Sequence, residues 1–121
     1  MLNKYFKEEP VCVAMHPFGL FLAVGFANGF KIFAILNDGF FALKEVSLNS
    51  CKILKYSNGG HMLITNEKSN VVVYDAVYYE TIHVFDGHTA PIKDIAISLN
   101  DLFIVSTCMN GYVFCFNLSE Q

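Results

Sequence analysis

Cys12, Cys51, Cys108 and Cys115, together with His16, His61, His83 and His88, are the side chains of this sequence best suited to chemistry. A zinc site needs three or four Cys, His or carboxylate ligands converging, usually with close pairs at characteristic spacing. Cys12 and His16 share strand parity, but no third ligand accompanies them, and the four cysteines contain no C-x-x-C pair. No metal site is therefore expected, and the thiols read as reduced, mostly buried packing residues. His88 follows Gly87, where a structural hydrogen bond accounts for it without proton transfer. No G-x-S-x-G elbow is present, and Gly25-Phe-Ala-Asn-Gly29 lacks the Gly-Lys-Ser/Thr ending of a phosphate-binding loop. The 11 carboxylates are scattered singly apart from Glu8-Glu9, so each is expected to be solvated and none to work as an acid/base pair. The expectation is a protein with no catalytic residues and no cofactor.

Without chemistry to position, the elements themselves must explain the chain. Apolar residues make up 54% of it and charged ones 16%, with 12 Phe, 6 Tyr and no Trp, which fits a buried sheet better than disorder or a coiled coil. The net charge is −3 and every basic residue is Lys, so the bidentate Arg contacts of base readout are impossible and nucleic acid is not an expected partner. Phe18 to Leu36 is nearly all apolar and long enough for a membrane helix, which leaves a small membrane protein as one alternative. Asn28, Lys31 and three glycines oppose it, since Lys at a helix centre costs about 2.5–3.5 kcal/mol on insertion. The N-terminus shows no secretory signal, so a cytoplasmic location is expected.

Internal repetition decides the fold. Met15-His-Pro-Phe-Gly-Leu-Phe-Leu22, Tyr56-Ser-Asn-Gly-Gly-His-Met-Leu63 and Ile97-Ser-Leu-Asn-Asp-Leu-Phe-Ile104 recur every 41 residues, each an apolar residue, a polar turn and an apolar strand. Upstream strands are predicted around Val11–Met15, Ile53–Tyr56 and Ile92–Ile97. Downstream apolar runs at Leu20–Val24, Met62–Ile64 and Leu102–Val105 read as strands buried on both faces. A second turn, Ala27-Asn-Gly29, Lys68-Ser-Asn70 or Met109-Asn-Gly111, precedes a third strand, and outer strands follow at Phe40–Val46 and Glu80–Phe85. The pattern predicts an all-β chain of about three four-stranded antiparallel propeller blades.

Phe85-Asp-Gly87-His88, followed after 27 residues by Phe116-Asn117, resembles the WD40 family, and Tyr74-Asp75 and Phe33-Ala34 hold the Trp-Asp place in the earlier units. The resemblance implies a hydrogen-bonded blade network at His88, Ser106, Asn110 and Phe116. Because Phe116 has no N–H to give, that network must be partial. The segments His16-Pro-Phe-Gly19, Val24-Gly-Phe26, Phe41-Ala-Leu-Lys-Glu45 and Tyr56-Ser-Asn-Gly-Gly-His61 are similar to a propeller of the cilia- and flagella-associated WD-repeat proteins that help dock inner dynein arms on the axoneme.

The expected organisation is an outer strand or N-terminal arm over 1–8, blades over 9–46 and 47–86, and a third blade over 87–121 that lacks its outer strand. Propellers typically close with about four to eight blades. Three are incomplete, so the expected partners are proteins of a large assembly, including a chain that completes or caps the ring. Phe40-Phe41 and Tyr78-Tyr79 lie near the ends of outer strands, where one residue of each pair should face outward as a possible interface anchor. The resemblance implies a non-enzymatic scaffold of the ciliary or flagellar axoneme, associated with dynein arms or doublet microtubules. The alternative is a peptide-recognition module of a signalling or ubiquitin-ligase complex.

Overall fold

The computed structural model describes residues 5–118. Within them the strands form three antiparallel meanders and there is no helix. The first sheet takes β1 (Cys12–Met15), β2 (Phe21–Phe26), β3 (Gly29–Leu36) and β4 (Gly39–Ser47). The second takes β5 (Leu54–Tyr56), β6 (Met62–Glu67), β7 (Asn70–Asp75) and β8 (Thr81–Phe85). The third takes β9 (Ile92–Ile97), β10 (Phe103–Cys108) and β11 (Val113–Asn117). Residues 18–36, weighed above as a membrane helix, are instead mostly the β2–β3 hairpin, and no helix among the described residues is long and apolar enough to cross a membrane. Asn28-Gly29 turns the chain back at the middle of that stretch.

The eight-residue repeat is a hairpin whose first and last residues face each other. Met15 pairs Leu22, Tyr56 pairs Leu63 and Ile97 pairs Ile104. The period persists further out, because β3 slips register against β4 after Ile32 and β7 slips against β8 after Val73, at equivalent places in the two sheets. Gly29 has a φ of +149°, and a Cβ there would run into the backbone oxygen of Val46 on β4. Only glycine fits a turn pressed this closely against a neighbouring strand.

Apolar faces stack the sheets. Between the first and second lie Ala23, Phe30, Ile32, Leu54, Leu63, Val72 and Tyr74, with Phe30 edge-on to Tyr74 at 5.2 Å. Between the second and third lie Ile64, Val71, Val73, Ile92, Ile95 and Ile104. The second sheet is thus covered on both faces, which is why β6 and β7 read as continuous apolar runs. Each large side chain fully buried in these layers contributes about 1.5–3 kcal/mol.

β10 departs from the expectation of a strand buried on both faces. Ile104 and Ser106 turn inward, whereas Phe103 and Val105 are exposed. The physical reason is that only one face of the third sheet meets another sheet within the described residues.

Residues 5–8 lie outside the strands, as an arm. Phe6 packs its ring on Phe26 and Phe33, at centroid distances of 5.3 and 5.4 Å, and helps cover the outer face of the first sheet. Residues 1–4 of the segment expected to be an outer strand or N-terminal arm are outside the described residues.

Candidate protein interaction site

The turns joining the first two strands of each sheet lie side by side along one rim and are tied to one another. His16, at the β1–β2 turn, places Nε2 2.9 Å from the carbonyl oxygen of Gly60 in the β5–β6 turn. The β9–β10 turn reaches the same β5–β6 turn from the other side through Asp101. Its carboxylate accepts the backbone N–H groups of Asn58 (2.8 Å) and Gly59 (2.7 Å) and the side-chain amide of Asn58 (3.0 Å). Asp101 is buried, which corrects the reading of the isolated carboxylates as solvated. Burial pushes its pKa up, but the donors from Gly59 and Asn58 outweigh this and hold it below the usual carboxylate range. A single acid in a turn gives no sequence sign of a partner 43 residues away.

His88 sits on the connection from β8 to β9 and is buried at 4% exposure. Its Nε2 lies 2.6 Å from Ser106 Oγ, so these two residues of the expected network meet directly. Asn110 is joined instead to Thr89 Oγ1 at 3.0 Å, and accepts the Cys108 thiol through Oδ1 at 2.6 Å. The ring against His88 is Phe114, edge-on at 4.5 Å, while Phe116 stacks on Phe85 at 4.4 Å. Phe114 was missed in the sequence, although it pairs across the ladder with Ser106 and so shares its face. The Phe85–Phe116 stack fastens the outer strand of the second sheet to the third.

Burial pushes the pKa of His88 down, and the contact with Ser106 offsets this only in part. Nδ1 is also buried, with no hydrogen-bond partner among the described residues, so an imidazolium there is poorly solvated. A depressed folded-state pKa favours the neutral ring in the fold. The resulting stability is present above the ordinary histidine value of about 6.5 and is lost as pH falls through it towards the folded value. Urea midpoints measured between pH 7.5 and 5 are expected to fall across this window, and His88→Gln is expected to flatten the profile. An unchanged slope in that variant would assign the dependence elsewhere.

The surface offered outward is the free face of the third sheet. Ala96, Val105 and Cys115 stand opposite one another across β9, β10 and β11, flanked by Phe103 and by Val113, which is 65% exposed. The equivalent face of the second sheet is buried. Of the four aromatic residues considered as anchors, Phe41 and Tyr78 project outward, Tyr78 at 70% exposure. Tyr79 does not, because its ring is buried and its hydroxyl lies 2.9 Å from that of Tyr56. Phe40 is half-buried against the cluster of Val24, Phe26 and Phe33. Each pair thus divides between core and solvent, with Tyr79 and Phe40 turned inward. No group of three or more His, Cys, Asp or Glu among the described residues could hold a metal ion.

Residues 79–117 match the family model described as WD domain, G-beta repeat. The match begins beside β8 and runs through β11, crossing from the second sheet into the third. Mouse cilia- and flagella-associated protein 57 is 33% identical over 118 residues, covering 98% of this chain and 9% of the relative. Cilia- and flagella-associated protein 57 C of Tetrahymena thermophila is 30% identical over 129 residues, covering 96% of this chain and 10% of the relative. The chain therefore spans about a tenth of the length of these relatives. The solved structure of U3-55K superposes with a TM-score of 0.86 at 12% identity, over 97% of this chain and 38% of that one, and shows the shared β-propeller fold.

Proposed function

Because this chain is a WD-repeat protein related to the cilia- and flagella-associated proteins, we propose that it is a non-enzymatic protein-interaction scaffold of the ciliary or flagellar axoneme. Its blades hold neighbouring proteins near dynein arms or doublet microtubules. The observation that supports this reading is the exposed apolar face of the third sheet, built from Phe103, Val105 and Val113. Its rows continue the stacking plane that the second and third sheets already use. Apolar side chains on a regular sheet face gain by being covered, and a further blade or a partner's apolar surface laid there continues the stack.

A direct test expresses the full-length protein carrying this chain in ciliated cells and extracts the membranes with detergent. The wild type is expected to stay with the axoneme. Val105→Asp combined with Val113→Asp is expected to reduce retention about tenfold, since charges placed in an apolar contact are left unpaired. Thermal unfolding of the 121-residue chain carrying both substitutions should be unchanged, because both side chains face solvent there. Full retention of the double variant, or co-purification with ubiquitin-ligase subunits in place of axonemal proteins, would overturn the proposal.

A further inference from the structure

Cys12 and Cys51 are far apart in sequence, yet they flank the same glycine. Cys12 lies on β1, and Cys51 lies on the segment that leads from the first sheet into the second. A Cβ added at Gly25 would overlap Cys12 Sγ and lie 3.3 Å from Cys51 Sγ. The absence of a side chain at Gly25 therefore opens the space in which the two sulfurs meet. Cys51 is fully buried with Thr65 Oγ1 3.2 Å from its sulfur, whereas Cys12 is partly exposed to solvent. The remaining cysteines, Cys108 and Cys115, lie on the third sheet, away from this pair.

We propose that Cys12 and Cys51 form a reversible redox site, oxidised by a peroxide to a disulfide that fastens the first sheet to the second. A thiolate of the pair attacks one peroxide oxygen, the O–O bond breaks, and hydroxide leaves, giving a sulfenic acid on that cysteine. The other sulfur of the pair then attacks that sulfur, and its proton leaves with the departing hydroxyl as water. The S–S bond forms, two thiols are oxidised, and hydrogen peroxide is reduced to two molecules of water. Reaction of the closed pair with a dithiol reductant restores both thiols.

The hydrogen bond between the two thiols favours a single thiolate in the pair, held by the proton of the other. Solvent reaches the pair from the side of Cys12, which is where a peroxide enters. Disulfides are uncommon in reducing compartments and, when they form there, are usually transient and responsive to oxidant.

The test uses the full chain with Cys115→Ser, which removes the exposed thiol from the reaction. It is treated with hydrogen peroxide, quenched with an alkylating maleimide and digested. The expected result is a peptide pair joined through Cys12 and Cys51, with both residues alkylated again after reduction. Closing a loop of this length is expected to raise the unfolding temperature by about 10 °C relative to the reduced protein. Cys12→Ser is expected to abolish both the cross-link and the temperature shift. The comparison of oxidised with reduced parent protein needs no variant of the pair to fold. The proposal is overturned if both cysteines remain alkylatable after peroxide, or if Cys12 or Cys51 advances to a sulfinic acid in place of the cross-link.

Discussion

Asp101→Ala is expected to lower stability by about 2–4 kcal/mol, because a buried carboxylate that accepts charge-assisted hydrogen bonds is lost. Part of the cost comes from the backbone, since Asp101 has a φ of +60° and alanine tolerates that conformation less well. Asp101→Asn keeps both the shape and the tolerance of positive φ, so it separates the contribution of charge from that of conformation. Asn is expected to cost about half as much as Ala and to change the acid limb of the stability profile. The folded-state pKa of Asp101 is depressed, so its contribution is present above the usual carboxylate value of about 4 and is lost as pH falls through the folded value. Urea denaturation at pH 7 and at pH 3 measures both effects. Equal losses for Ala and Asn at both pH values would show that the carboxylate does not hold the β5–β6 turn.

The second large effect belongs to Gly29. Replacing it with alanine is expected to cost about 3 kcal/mol or more, because the left-handed backbone is strained by any side chain and the new Cβ meets a backbone atom that cannot rotate away. Gly111 occupies the corresponding turn of the third sheet with a φ of +89°, but a Cβ there would meet no atom of the described residues within 4 Å. Gly111→Ala should therefore cost only about 1 kcal/mol. Denaturation of the two variants side by side separates strain from collision. Equal losses would place the whole effect in the backbone and none in the contact with Val46.

The difference between these turns marks the limit of what the sequence makes legible. The 41-residue period could be read because each hairpin repeats one local arrangement, and the pairing of Met15 with Leu22, Tyr56 with Leu63 and Ile97 with Ile104 follows from it. Local periodicity also located Asn28-Gly29 and Asn110-Gly111 as turns. It could not show that Asp101 is buried, because its donors belong to another sheet. Nor could it decide which of Phe114 and Phe116 lies against His88. Both are aromatic and two residues apart, so they share a face, and only the register against Ser106 separates them. Tyr79 escaped for a related reason: an aromatic pair beside a strand end shows that one ring turns inward, and the partner Tyr56 then decides which. The exposure of Val105 was hidden too, since an apolar run looks the same whether or not another sheet covers it.

The ties along the turn rim have a consequence for how the chain assembles. The first and second sheets are joined there by a histidine ring against a carbonyl, the second and third by a carboxylate gripping backbone amides. These fasteners are chemically unlike, so the β5–β6 turn presents a different address on each side. Sheets that are near copies of one another could otherwise stack in the wrong order, because their apolar faces discriminate poorly. An exchange of the first and third sheets would leave His16 facing backbone N–H groups and Asp101 facing a carbonyl oxygen. The rim thus works as a label that fixes the sequence of layers, while the interior supplies the adhesion.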